Sequence, residues 1–131
     1  TNSMASKISV NEGCYDTRFK GNIFYRNVND RTNLLNLTNR LTSIPAYAHF
    51  LATNAYVITY ENVVSCNTPS SDNPSDTFQL ILFTNGLYSF ALFNYGALNY
   101  NPSGFKACTN AWNPGDNFAI TASSYQTNLI Y

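Results

Sequence analysis

The chain has 131 residues, of which only 11% are charged, and its seven basic and seven acidic side chains cancel to zero net charge. This length supports one domain with its own core. Neutrality argues against a nucleic-acid or anionic-membrane binder, because either would need a basic surface. The 20 asparagines and abundant Tyr and Phe of this low-charge composition favour an extracellular, secreted protein.

The N-terminal residues 1–13 are polar apart from Met4–Val10, and we predict that they form a loose arm or an edge strand. Residues 14–131 are predicted to form a single domain. Its first strand is Gly21–Val28. No apolar run approaches the roughly 18 residues of a membrane span, so we expect no membrane insertion. The chain opens at Thr1 without a signal peptide, which we interpret as a mature or excised form.

An amphipathic helix is predicted over about residues 31–44. Asp30 is a good N-cap, and Pro45 ends the pattern. The apolar stripe recurs at helical spacing through Leu34, Leu37, Leu41 and Ile44. Asn36 begins the sequon Asn36-Leu37-Thr38 and lies off this stripe, so it is a candidate for N-glycosylation.

The next predicted strand is Ala55–Val64, with Tyr56, Ile58 and Tyr60 on one face. Residues 65–76 follow and are rich in Ser, Asn, Asp and Pro, which predicts a loop.

The stretch Thr77–Tyr95 is predicted to be the central β-hairpin. Its two apolar runs flank Asn85-Gly86, the dipeptide typical of a type I′ turn, which needs positive φ at both central residues. Counting outward from a two-residue loop places Thr84 opposite Leu87 and Phe78 opposite Phe93. Both faces are apolar, so we expect the helix, a second sheet or a neighbouring molecule to cover them.

Beyond the hairpin, residues 96–115 are predicted to be irregular, and Phe118–Thr121 and Asn128–Tyr131 to form two short closing strands. Together these elements predict a β-rich α+β fold. It is a mainly antiparallel sheet or sandwich centred on the 77–95 hairpin, with one helix packed on it.

Three cysteines, Cys14, Cys66 and Cys108, fit neither a zinc motif nor a C-x-x-C redox pair. In an oxidising compartment one disulfide and one remaining thiol are expected. We expect Cys14 or Cys66 to pair with Cys108, and the alternative is three buried free thiols. The remaining thiol could link two molecules.

A search for catalytic patterns finds none. His49 is the only histidine, and no nucleophile elbow, Walker loop or dinucleotide-binding glycine pattern occurs. The seven carboxylates show no spacing that predicts a glycosidase pair. Asp72 and Asp76 have oxygen ligands that suit calcium, but their spacing is not that of an EF-hand and an ordinary loop is favoured. We therefore predict no catalytic residue, no cofactor and no metal site.

Five segments in order resemble one known family, the NIDO domain of nidogen, alpha-tectorin and some membrane mucins. They cover the chain from about Cys14 onward: Asp16-Thr17-Arg18 with Gly21 and Ile23–Arg26, Asp30–Leu41, Ala52–Val63, Asp76–Tyr95, and Phe105 with Asn113–Asp116. Two positions depart from the family pattern, Tyr60 in place of Trp and Asn85 in place of the frequent Asp. The resemblance implies an extracellular, non-catalytic module without a transferable active site.

We therefore expect a structural or adhesive domain of a matrix, cell surface or filament, which binds other extracellular proteins or copies of itself. Residues 1–13 could add a strand to a neighbour's sheet edge. The alternative is a lectin-like module that binds glycans through its Tyr and Asn turns, between Asn94-Tyr95 and Asn99–Asn101.

Overall fold

The computed structural model describes residues 7–10, 14–42, 44–66 and 70–99, and the backbone of three strands at 110–113, 120–122 and 129–130. Helix α1 is Arg31–Thr42, and a short 3-10 turn covers Pro45–Tyr47. The strands are β1 Lys7–Ser9, β2 Tyr15–Asp16, β3 Asn22–Val28, β4 Asn54–Ser65, β5 Asp76–Thr84, β6 Ser89–Leu98, β7 Asn110–Asn113, β8 Ile120–Ala122 and β9 Leu129–Ile130.

The main sheet is antiparallel and runs in the order β2-β4-β5-β6-β9, and β3 also pairs with β4. Strand β4 is long enough to pair with β3 over residues 55–61 and with β2 at Val64 and Ser65. A smaller sheet has the order β1-β7-β8. The predicted α+β fold with a mainly antiparallel sheet and a packed helix is confirmed, while β7 is a strand in a region predicted to be irregular.

The central hairpin is confirmed, but its predicted register is wrong by two residues. Thr84 lies opposite Ser89 and Phe78 opposite Tyr95, so the turn centres on Gly86 and Leu87. Of the turn residues only Gly86 has positive φ, at 89°. The Asn85 side chain instead accepts hydrogen bonds from the backbone N–H groups of Leu87 and Tyr88, at 3.0 and 2.8 Å. Because the shift is even, each side chain keeps its predicted face.

Helix α1 begins as predicted. The Asp30 carboxylate accepts a hydrogen bond of 3.0 Å from the backbone N–H of Asn33. A bond from the Asn33 side chain, together with this backbone bond, lowers the pKa of Asp30. Leu34, Leu37 and Leu41 are buried, whereas Ile44 is exposed because the helix ends two residues before it.

Each face of the main sheet carries an apolar cluster. On one face the buried leucines of α1 pack with Ala55, Val57, Ile81, Phe83 and Leu92. On the other face Val10 packs with Val63, Phe78, Leu80, Ala91 and Phe93. The Tyr95 hydroxyl donates a hydrogen bond to the backbone oxygen of Val10. Helix α1 therefore covers one face, and the segment after β1 lies against the other.

The chain enters β3 through a glycine that the structure requires. Gly21 has φ +90°, and a Cβ at this position would approach the backbone oxygen of Asn62 to 2.5 Å. Asn62 itself has φ 51° and lies where the pairing of β4 with β5 shifts register. A larger residue at position 21 would therefore collide with this irregularity in β4.

Thr38 fastens α1 to the chain that enters β4. Its buried hydroxyl donates to the backbone oxygen of Leu34 and accepts from the backbone N–H of Ala52, both at 2.9 Å. We expect Thr38→Val to lower the free energy of unfolding by about 1–3 kcal/mol, because it leaves the buried N–H of Ala52 without an acceptor. Urea unfolding measures this loss. Thr38→Ser keeps the hydroxyl and is the control, and equal stability of the two variants would contradict the assignment.

Candidate interaction surface

A disulfide joins Cys14 and Cys66, which stand at adjacent ends of β2 and β4 with their Cα atoms 5.3 Å apart. The backbone N–H of Cys66 also donates to the Cys14 oxygen at 2.9 Å. The expectation that one of these cysteines pairs with Cys108 is therefore wrong, because they pair with each other. Cys108 lies outside the described residues.

The Asp16-Thr17-Arg18 segment has a structural role. The Asp16 carboxylate accepts bonds from the Arg18 guanidinium, the closest at 2.6 Å, and a further bond from the Arg18 backbone N–H at 2.9 Å. The hydrogen bonds from the Arg18 side chain have the larger effect and that from its backbone N–H the smaller, and together they hold the pKa of Asp16 below its ordinary value. Asp16 and Arg18 therefore pair with each other within one turn, and their ion pair stabilises that turn.

Asp76 is fully buried at the start of β5. It accepts hydrogen bonds from the Tyr15 hydroxyl at 3.2 Å and from the backbone N–H of Asn99 at 2.8 Å. Asp72 is exposed in the preceding loop. Among the described residues no three His, Cys, Asp or Glu side chains lie together as a metal site would require. Asp76 therefore ties β2 to the end of β6.

Strand β3 is the most exposed apolar element of the described chain. Ile23, Phe24 and Tyr25 are 49%, 53% and 74% exposed. Strand β3 pairs with β4 on one side, and no described strand pairs with its other edge. The Tyr25 ring stacks on that of Tyr56 at 6.1 Å between centroids. The sequence identified β3 as a strand but did not show its exposure, which depends on its place at the sheet edge.

A groove of about 240 Å³ lies between α1 and the face of the main sheet formed by β3, β4, β5 and β6. Its floor is apolar and consists of Val28, Leu37, Val57, Ile81 and Leu92. Its rim is polar and consists of Arg26, Asn33, Asn36, Arg40 and Gln79. None of these residues except Asn36 was singled out as a site from the sequence, because only the packing of α1 on the main sheet brings them together.

Asn36, the glycosylation candidate, is exposed on α1. The third residue of its sequon, Thr38, is buried and makes the two hydrogen bonds described above. These two hydrogen bonds explain why Thr38 is present, whether or not Asn36 carries a glycan. Glycosylation of Asn36 stays a prediction.

The turn residues proposed for sugar binding are engaged within the chain. The Asn94 amide donates to Gln79 at 3.0 Å, and the Asn99 amide donates to the Ser75 oxygen at 3.0 Å. The Tyr95 hydroxyl donates a hydrogen bond to the backbone oxygen of Val10. Residues 100 and 101 lie outside the described residues. His49 is exposed in the turn before β4.

No helix within the described residues has both the length and the apolar character needed to cross a membrane.

Comparison with known proteins identifies the family. A family model described as "Nidogen-like domain" matches residues 6–122. Alpha-tectorin of Mus musculus and of Homo sapiens is 34% identical over 82 residues, which cover 62% of this chain and 4% of each relative. Alpha-tectorin of Gallus gallus is 35% identical over 85 residues, with the same coverage. The chain thus spans a small part of the length of these relatives.

No solved structure matches the chain. The family model, however, covers most of its length, and the five segments that resemble the NIDO domain lie largely within the matched range. The chain belongs to the nidogen-like domain family.

Proposed function

We propose that this chain is a non-catalytic, extracellular structural module that makes protein–protein contacts through the exposed edge of β3, and that the partner is a second copy of the chain. Membership of the nidogen-like family and similarity to alpha-tectorin support an extracellular structural role. The single observation that carries the contact is the apolar edge strand β3.

Edge strands present unpaired backbone N–H and C=O groups, and proteins usually protect them with charges, proline or bulges. Strand β3 has the sequence Asn-Ile-Phe-Tyr-Arg-Asn-Val, with one charge and no proline. Its apolar side chains project from both faces, since Tyr25 is opposite Ile58 and Phe24 is opposite Thr59 in β4. A strand added to this edge would gain main-chain hydrogen bonds and cover apolar surface on both faces.

A second copy fits this edge without placing like charges together. Antiparallel pairing of two β3 strands about Tyr25 would put Tyr25 opposite its equivalent and Phe24 opposite Arg26. The formal net charge of zero removes net repulsion between whole copies at long range, and within the paired strands Arg26 lies opposite an uncharged residue. The contact would be isologous, so by itself it forms a closed dimer rather than a filament.

The test is Tyr25→Lys, which would place two lysines opposite each other in the paired edge. We expect the wild type to dimerise, and this variant to weaken the dimer at least about tenfold, in sedimentation measured from about 1 μM to 1 mM. Leu87→Lys is the matched control, because Leu87 is 78% exposed but lies in the hairpin turn. A monomeric wild type, or an unchanged Tyr25→Lys dimer, would refute the proposal.

The N-terminal arm is a less suitable donor for strand addition. Lys7–Ser9 already pairs with β7 of the same chain as strand β1, at the edge of the small sheet. Addition of this segment to a neighbour would have to replace that pairing. The Asn94 side-chain N–H, the Tyr95 hydroxyl and the Asn99 side-chain N–H are likewise hydrogen-bonded within the chain, and the Asn94 Oδ1 is buried, so no observation favours the lectin-like alternative at those turns.

A further inference from the structure

Two elements, α1 and β3, place positive charge at the groove between α1 and the main sheet. Asn33, Asn36 and Arg40 lie on one side of α1 at spacings of three and four residues, so their side chains are neighbours along the helix. Arg26 enters from β3, where it is opposite Val57 of β4. Two guanidinium groups from separate parts of the fold therefore border one groove.

Neither guanidinium forms an ion pair with a carboxylate of the described chain. No carboxylate of the described chain borders the groove beside Arg26 and Arg40 either. Asp30 is near enough for Arg26 to contribute to its lowered pKa, but its oxygens accept hydrogen bonds from Asn33. Arg18 provides the contrast, since its guanidinium is paired with Asp16.

The charges of the whole chain are also distributed unevenly along the sequence. Residues 14–42 contain five cations and two carboxylates, whereas the rest contains two cations and five carboxylates. The neutral total therefore conceals a basic segment of the sequence, which contains β3 and α1. Planar guanidinium groups match carboxylate and sulfate oxygens with paired hydrogen bonds, so an anion of this shape would complete the groove.

The other residues that line the groove determine which anionic ligands fit it. The apolar floor suits the C–H face of a ring, and the Asn36 amide is free of hydrogen bonds within the described chain. Gln79 is held in place by bonds to Thr59 and Asn94. A volume of about 240 Å³ is below the roughly 300–1,000 Å³ of pockets for drug-sized ligands, so the groove has room for one sugar-sized unit.

We propose that this groove binds a carboxylate- or sulfate-bearing sugar unit of a matrix glycan, with Arg26 and Arg40 contacting the acidic group. This binding is a function additional to strand pairing through β3. A glycan on Asn36 would stand on the rim of the groove and obstruct it. Glycosylation of Asn36 and binding in the groove therefore exclude each other.

The test uses the full chain produced without N-glycosylation. The probes are a hyaluronan tetrasaccharide for carboxylate alone, a heparin-derived disaccharide for sulfate together with carboxylate, chitobiose as a neutral sugar and a glutamate-rich peptide. Calorimetry measures the affinities. We expect at least one acidic sugar to bind more tightly than chitobiose and the peptide, and to bind more weakly as salt is raised.

Two variants and a matched control locate the site. Arg40→Gln and Arg26→Gln are each expected to weaken binding of the acidic sugar about tenfold, which is the effect of losing one charge-assisted contact. Arg31→Gln, on the same helix but outside the groove lining, is expected to bind as the wild type does. Arg40 is not in β3, so its variant tests the groove independently of dimer formation.

A second measurement needs no variant. Nuclear magnetic resonance titration of the wild type with the acidic sugar should shift the signals of Arg26, Asn36 and Arg40. The proposal is overturned if no acidic sugar binds, if chitobiose or the peptide binds equally well, or if Arg40→Gln and Arg31→Gln have equal affinities. Shifts confined to the turn at Tyr95 would also overturn it.

Discussion

Removal of the Cys14–Cys66 disulfide is expected to lower the free energy of unfolding by about 4 kcal/mol. The bond closes a loop with a sequence separation of 52 residues, and in the chain-entropy description a loop of this length stabilises the folded state by about that amount. Total stabilities of domains are about 5–15 kcal/mol, so the change removes a large share. The variant Cys14→Ser with Cys66→Ser tests it without leaving an unpaired partner.

The measurement is urea unfolding of the double variant and the wild type, each with and without a reducing agent. The reducing agent should lower the midpoint of the wild type and leave that of the double variant unchanged. Cys108→Ser is the control for the third cysteine and should unfold as the wild type does in the absence of reductant. If Cys108→Ser were as unstable as the double variant, the pairing of Cys14 with Cys66 would be wrong.

Phe83→Ala is expected to lower the free energy of unfolding by about 3–5 kcal/mol, the usual cost of truncating a buried phenylalanine. Phe83 is only 2% exposed. Its ring lies 5.9 Å from that of Phe50 and 5.6 Å from that of Phe90, measured between centroids. The substitution therefore leaves a cavity where β5, β6 and the chain after α1 meet.

Urea unfolding again provides the readout. Phe19→Ala is the matched control, because the same atoms are removed from a side chain that is 55% exposed. We expect this control to cost less than about 1 kcal/mol, since its described ring contact is with the exposed Arg18 guanidinium. Equal losses for the two variants would show that Phe83 does not lie in the core.

The parts of the fold that follow from local pattern could be predicted from the sequence. The spacing of Leu34, Leu37 and Leu41 with the cap at Asp30 predicts α1, and alternation and turn residues predict the hairpin. The position of the turn could not be predicted in this way. Asn-Gly favours both residues at positive φ, but the Asn85 side chain bonds the following N–H groups and only Gly86 takes that conformation.

Contacts between residues far apart in the sequence could not be predicted, for a different reason. Cys14 meets Cys66 because β2 pairs with the far end of β4, and no local pattern shows that β4 extends past β3. The exposure of the β3 edge, and the position of Arg26 and Arg40 beside one groove, also depend on how the strands are ordered in the sheet. A strand pattern describes which residues alternate, but the order of strands in the sheet decides which strand lies at an edge.

The disulfide also has a mechanical consequence. If tension were applied along the chain, the loop between Cys14 and Cys66 could not lengthen, which withholds about 180 Å of contour at roughly 3.5 Å per residue. That loop contains β3, α1 and both groove arginines. Stretching would therefore draw first on the chain outside the loop, so the proposed contact edge and both groove arginines stay within one covalently closed ring, whereas the groove residues of β5 and β6 lie outside it.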